Sequence, residues 1–317
     1  MKSNTGFSFL LLLIVLLGTG CTEKPQTPLR IGAVLWPGYE PLYLASKLGY
    51  FKDQPVKIID YLSNTDAIQA FKNNNLNAAA VTLDETLQIL SDGIEVDIIL
   101  IMDTSNGGDV ILANPDIHSM QELKGKSVAV ESSAVGAFVL SRALEINNMT
   151  LDQIQVVSTS AMEQLSNFNN GKIVAAVSFD PYRTALLKAG KKEIFNSTQI
   201  PDEIVDVLVV RKNYRQENPQ IIKTVISAWF DALAYQREKP AASAAYSLKR
   251  FNNTTEEYIN NLKLLKFTTK EENRRLLDNN NSPLLLLQTK ILSILKELGL
   301  IDKPASLEGR LNKDFIP

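Results

Sequence analysis

Histidine and cysteine are almost missing from this sequence: His118 and Cys21 are the single examples among 317 residues. One histidine assembles neither a catalytic triad nor a histidine-based metal cluster. One cysteine excludes any disulfide within the chain. Neither a P-loop nor a G-x-G-x-x-G fingerprint occurs; residues 105–109 carry Gly107 and Gly108 but lack the spacing and the lysine. No cofactor, metal or catalytic residue is therefore expected. Charge of one sign is also lacking, with 33 Lys and Arg against 35 Asp and Glu and a net charge of −2, which argues against a nucleic-acid partner. No internal repeat or collagen-like period is found.

What is present is an ordinary globular composition, 45% hydrophobic and 21% charged. At this length a two-lobed α/β protein is the expectation. The N-terminus reads as an export signal over residues 1–20: Lys2, then an apolar stretch over residues 7–17 too short to span a bilayer comfortably, then Gly18-Thr19-Gly20 before Cys21. Acylation of Cys21 is the economical reading. The arrangement resembles a bacterial lipoprotein lipobox, although Gly18 stands where a leucine is usual. Residues 21–28, polar with Pro25 and Pro28, then form a tether from membrane to domain.

From Leu29 strand-like and helix-like segments alternate. Apolar or β-branched runs at 29–35, 56–61, 78–82 and 96–102 read as strands. Between them, 42–51, 67–73 and 85–90 read as helices. Such alternation implies parallel pairing through right-handed crossovers. After a further strand at 110–113 and the punctuation of Asn114-Pro115, the pattern restarts. Strands at 127–130, 154–158, 173–178 and 193–195 alternate with helices at 136–147, 161–167 and 181–189. We expect one lobe from 29–114 and 205–317 and a second, inserted lobe from 115–204, with two hinge crossings between them. The rest is helical, Trp229 lying in an apolar stripe that marks it as core.

Parallel α/β lobes present ligand contacts where strands end and helices begin. Trp36-Pro37-Gly38-Tyr39-Glu40-Pro41 stands at the first such junction, as a binding lip or as a plain turn with a helix start. The other junctions carry Asp84 and Glu85, the loop from Ser105 to Asp109, Ser132 and Ser133 opening a helix whose amides could hold an oxyanion, and Asp180-Pro181. Asp84, Glu85, Asp180 and the two serines have a capping alternative. Asp109 has no helix after it to cap. The candidate ligand contacts are thus Trp36, Tyr39, Glu40, Glu85, Ser105, Asp109, Ser132, Ser133 and Asp180.

The export signal, the Trp36 lip, Leu48-Gly49-Tyr50-Phe51, Leu123-Lys124-Gly125-Lys126-Ser127-Val128-Ala129-Val130 and Asp206-Val207-Leu208-Val209-Val210 together resemble one family across nearly all of the mature chain. It is the nitrate/sulfonate/taurine-type substrate-binding proteins of bacterial ABC importers. The resemblance implies a type II periplasmic-binding architecture: two α/β lobes, two hinge crossings, and C-terminal helices packed on the first lobe. It also implies a monomer, anchored through its N-terminal lipid and facing the periplasm or cell exterior. Such a protein delivers a small ligand to a permease.

The junctions hold acids and almost no bases, Arg183 beside Asp180 being the exception, which leans the ligand toward an amine or guanidine. A sulfonate, taurine or nitrate binder is the alternative, as is a sensor subunit for a membrane receptor. An enzyme on the same fold is less favoured, for want of a nucleophile and base.

Overall fold

The computed structural model describes residues 27–132 and 135–317. The export signal, Cys21, most of the tether and Ser133 lie outside the described residues. In chain order the strands are β1 Leu29–Val34, β2 Val56–Tyr61, β3 Ala78–Thr82, β4 Val96–Ser105, β5 Val110–Ala113 and β6 Ser127–Val130. They continue with β7 Gln155–Ser158, β8 Ala175–Ser178, β9 Lys192–Asn196, β10 Val205–Arg211 and β11 Leu265–Phe267. Two sheets result, a six-stranded one in the order β11-β4-β10-β3-β1-β2 and a five-stranded one in the order β7-β6-β8-β5-β9. The α/β class and the two-sheet architecture expected from the alternation are present.

The pairing is mixed where all-parallel pairing was expected. β1 lies parallel to β2 and β3, but β10 runs antiparallel to both β3 and β4. This reversal sets the geometry of the site, because it brings the N-terminal end of β10 beside the C-terminal ends of β3 and β4. A second correction concerns Val110–Ala113. That strand was expected in the first lobe, yet it pairs antiparallel with β8 and β9 inside the second sheet, so the crossing falls at residues 106–109. The chain returns through residues 197–204.

β3 and β5 are buried along their whole length, as are nearly all of β4 and β10, which is why they read as unbroken apolar runs. The two crossings hold each other. Ser105 Oγ and Ser197 Oγ lie 2.8 Å apart, Gly107 N donates to Ser197 Oγ at 2.6 Å, and Ser105 N donates to Ile204 O at 3.0 Å. The C-terminal portion is mostly helical as expected, with one strand unforeseen. β11 pairs with only the last three residues of β4, and beyond it the fully buried Asn273 side chain takes over, bonding both N and O of Ile101 at 2.7 and 2.9 Å.

Trp229, in the helix Pro219–Glu238, is fully buried. Trp229→Ala should lower unfolding stability by about 3–5 kcal/mol in urea titration, the cost of a large buried cavity.

Candidate functional site

The site is built outward from the C-terminal end of β1. Trp36 is extended, and Pro37–Tyr39 closes a 3₁₀ turn in which Tyr39 N donates to Trp36 O at 3.0 Å. Proline at the first position presets this turn. The helix Glu40–Lys47 continues from it. Trp36 and Tyr39 are thereby aimed into the space between the two sheets. The first crossing packs on the indole from the other side: a Cβ on Gly108 would come within 2.7 Å of Trp36 Cη2, so only glycine fits there.

Between the sheets lies a narrow cleft with a free interior of about 20 Å³. Trp36, Phe179, Val34, Val135 and Ile204 give it apolar walls, and the Trp36 and Phe179 rings meet edge to face at 5.9 Å. Its polar lining consists of Tyr39, Asn64, Thr82, Asp109 and Asp206. No lysine or arginine stands among the described lining residues. The two lining acids belong to the two crossings: Asp109 ends the first, and Asp206 comes just after the second.

These acids are buried and sit among other acids. Tyr39 Oη donates to Asp206 Oδ1 at 2.5 Å. Burial, then the neighbouring Asp103 carboxylate, push Asp206 well above the usual carboxylate range. Burial raises Asp103 as well. Asp109 is pushed up to about 6 by burial, with Asp84 adding to the rise. The Tyr39 hydroxyl is held well above its ordinary value by burial and by Asp206, so it is a firm donor. The Trp36 indole N–H is directed at the buried Asp103 carboxyl, and the Thr82 side chain belongs to the capping box of the helix Leu83–Ser91. The cleft therefore offers carboxylates and aromatic faces.

Of the residues singled out from sequence, Trp36, Tyr39 and Asp109 line the cleft. Four others make contacts within the protein and are not among the lining residues. Glu40 is buried beneath the helix Pro240–Phe251, accepting from Ser247 Oγ at 2.5 Å and pairing with Arg250, whose guanidinium lies 3.4 Å from the Tyr43 ring. Burial raises it to about 7 against the opposing pull of Arg250. Ser105 clasps the crossings, bonding Ser197 and accepting from Asp109 N at 3.1 Å. Asp180 turns into the start of its own helix, taking Thr184 N at 3.1 Å, which is the capping alternative. Glu85 accepts from Thr82 N at 3.0 Å in a capping box, and its other oxygen reaches across the cleft to Val135 N at 3.3 Å. Ser132 is half-buried with an unpartnered hydroxyl, outside the cleft lining.

Sequence reasoning missed Asn64, Thr82 and Asp206 as lining residues. Asp206 opens the apolar run 207–210, and strand-end reasoning passes over it because it stands at a strand's beginning. The antiparallel sense of β10 puts that beginning among its neighbours' ends.

A family model described as NMT1/THI5 like matches residues 36–243, well over half of the sequence. The chain belongs to the NMT1/THI5-like family. A relative in Brucella abortus (strain 2308), named as a binding protein without a stated ligand, is 28% identical over 145 residues. That match covers 44% of this chain and 46% of the relative, so the chain spans about half the length of that protein. The taurine-binding periplasmic protein of Escherichia coli (strain K12) is 21% identical over 199 residues, 61% of this chain and 62% of that one. Among solved structures, the alkanesulfonate-binding protein of Xanthomonas axonopodis pv. citri bound to MOPS superposes with a TM-score of 0.76. It is 14% identical, covering 90% of this chain and 98% of that one. The desulfurization enzyme DSZB superposes at 0.67 with 14% identity over 91% of this chain and 97% of its own, so the shared fold also carries an enzyme. These NMT1/THI5-like and structural likenesses fix the fold.

Asp109, Glu40, Asp103 and Asp206 all bind their proton more tightly folded than unfolded. Their stabilisation is complete below about pH 4 and is lost as pH rises through the folded values, about 6 for Asp109 and about 7 for Glu40. Without ligand, the protein should be less stable at pH 8 than at pH 5 by about 4 kcal/mol from these two groups, read from urea midpoints at the two pH values. Equal stability would show the acids to be solvated.

Proposed function

We propose that this is an exported solute-binding protein that encloses a small organic cation, an amine or guanidine, between its two lobes and hands it to an ABC importer permease. The single observation that carries the reading is the cleft lining: Asp109 and Asp206 face an aromatic enclosure with no base beside them. A cationic ligand would replace the missing counter-charge through charge-assisted hydrogen bonds, while Trp36 and Phe179 offer their rings to it.

The relatives' names speak of taurine and alkanesulfonates, which carry an anionic group. In this chain the amide of Val135, at the head of the helix Val135–Ile146, already receives Glu85. A carboxylate of the protein thus occupies a position suited to a ligand oxyanion, and the remaining lining groups favour positive charge. Binding, and not turnover, is the reading, because the relatives are named as binding proteins and the lining acid Asp206 is engaged by the Tyr39 hydroxyl. Export and a lipid on Cys21 are read from the N-terminal sequence. No described helix is long and apolar enough to cross a membrane.

A thermal-shift screen of the purified protein should show stabilisation by amines or guanidino compounds and none by taurine, alkanesulfonates or nitrate; the reverse pattern would sink the cation. Asp206→Asn should weaken binding of a stabilising compound by about 30-fold or more, the loss of one charge-assisted contact. Trp36→Ala should weaken it too while leaving the protein folded, both read by calorimetry.

A further inference from the structure

Asp206 of β10 and Asp103 of β4 stand opposite each other in the antiparallel register. Asp103 is fully buried and Asp206 nearly so. Only Asp206 lines the cleft. Asp103 lies one layer behind it, under the turn after β1, where a Cβ on Gly38 would collide with both its Oδ2 and Trp36 Nε1. The polar groups that face the Asp103 carboxyl are the Asp206 carboxyl and the Trp36 indole N–H. Like charges directly opposite across a ladder destabilise it, and two buried carboxylates so placed ionise one at a time.

Resting on the cationic reading of the cleft, we propose that Asp103 is a positioning residue: it shares one proton with Asp206 and so decides at which pH Asp206 presents a full negative charge to the ligand. The surroundings leave this role to Asp103. From the turn after β1, Tyr39 donates to Asp206 and Trp36 lies against Asp103; from the first crossing comes Asp109; from the helix Leu83–Ser91 come Asp84 beside Asp109 and Glu85 beside Tyr39. Phe267 of β11 pairs with Asp103 on its far side. Every titratable neighbour acting on the pair is an acid or the tyrosine, and no lysine or arginine is among them. Burial raises both carboxyls; repulsion from Asp103 adds to the rise at Asp206, while the bond from Asp206 opposes the rise at Asp103, so the pair gives up its shared proton in a range that the exposed acids have already passed.

Asp103→Asn keeps the shape and removes the competing charge. Benzamidine serves as a probe, since its amidinium stays charged from pH 5 to 9 and all pH dependence then comes from the protein. In the unmutated protein its affinity should climb by about tenfold per pH unit over the range where the pair loses its proton. In D103N the climb should move at least one pH unit lower, so that at pH 5.5 the variant binds more tightly than the parent. A purely structural role for Asp103 would weaken binding by one factor at every pH and leave the profile unmoved, which would overturn the proposal. Should D103N fail to fold, the aspartate ¹³Cγ titration of the unliganded parent decides. Two carboxyls titrating in linked steps, with one step abolished in D206N, support the pair; independent titrations overturn it. Absence of benzamidine binding at any pH, alongside linked titrations, would count against the cationic reading and leave the role of Asp103 standing.

Discussion

Burying a carboxylate without a cation is costly, and this protein does it repeatedly in one place. Asp84, Glu85, Asp103, Asp109 and Asp206 are all nearly or fully buried around the inner end of the cleft. An isolated ionised carboxylate is not tolerated in such surroundings; it keeps its proton or finds a donor. Each acid here shows one of these two solutions. Glu85 takes amides from both sides of the cleft, Asp206 takes the Tyr39 hydroxyl, and Asp109 rests against Ser105. The charge that remains is confined to the lining, where a ligand can meet it.

The frame around this cluster is built to hold two sheets at a fixed approach. The crossings are stitched together by Ser105 and Ser197. Near the mouth, Glu131 Oε1 accepts from Thr65 N at 2.7 Å and from Thr65 Oγ1 at 2.6 Å, joining the second sheet's body to the first. Glu85 makes the same kind of bond in the opposite direction. Behind the crossings, Arg142 grips Glu203 in a fork at 2.6 and 2.9 Å, and Lys290 of the helix Leu284–Glu297 adds a third contact at 3.0 Å. Closure thus rests on carboxylates that accept backbone or guanidinium donors, whereas the lining acids have only a tyrosine and a serine.

Much of the fold was legible in the sequence, for physical reasons that can be named. Ala78–Thr82 and Val110–Ala113 are buried throughout, so their apolar runs mark strands without ambiguity. What was not legible was direction and partnership. Nothing in residues 205–211 announces that this strand runs against its neighbours, and so Asp206 went unnoticed while Asp180, at a conventional strand end, was favoured. Asp103 was hidden because β4 runs on past Met102 to Ser105. Glu40 looked free in sequence since its partner Arg250 lies 210 residues away. Trp36 and Tyr39 were found because a turn between a strand and a helix displays side chains whatever the sheet's sense.

In the function we propose, the lining acids hold protons which a cationic ligand displaces. Calorimetry of ligand binding near pH 7, repeated in buffers of differing ionisation enthalpy, measures that displacement directly. Release of about one proton per bound cation is expected, with the apparent enthalpy falling on a line against buffer ionisation enthalpy. A buffer-independent enthalpy, or proton uptake on binding, would contradict it.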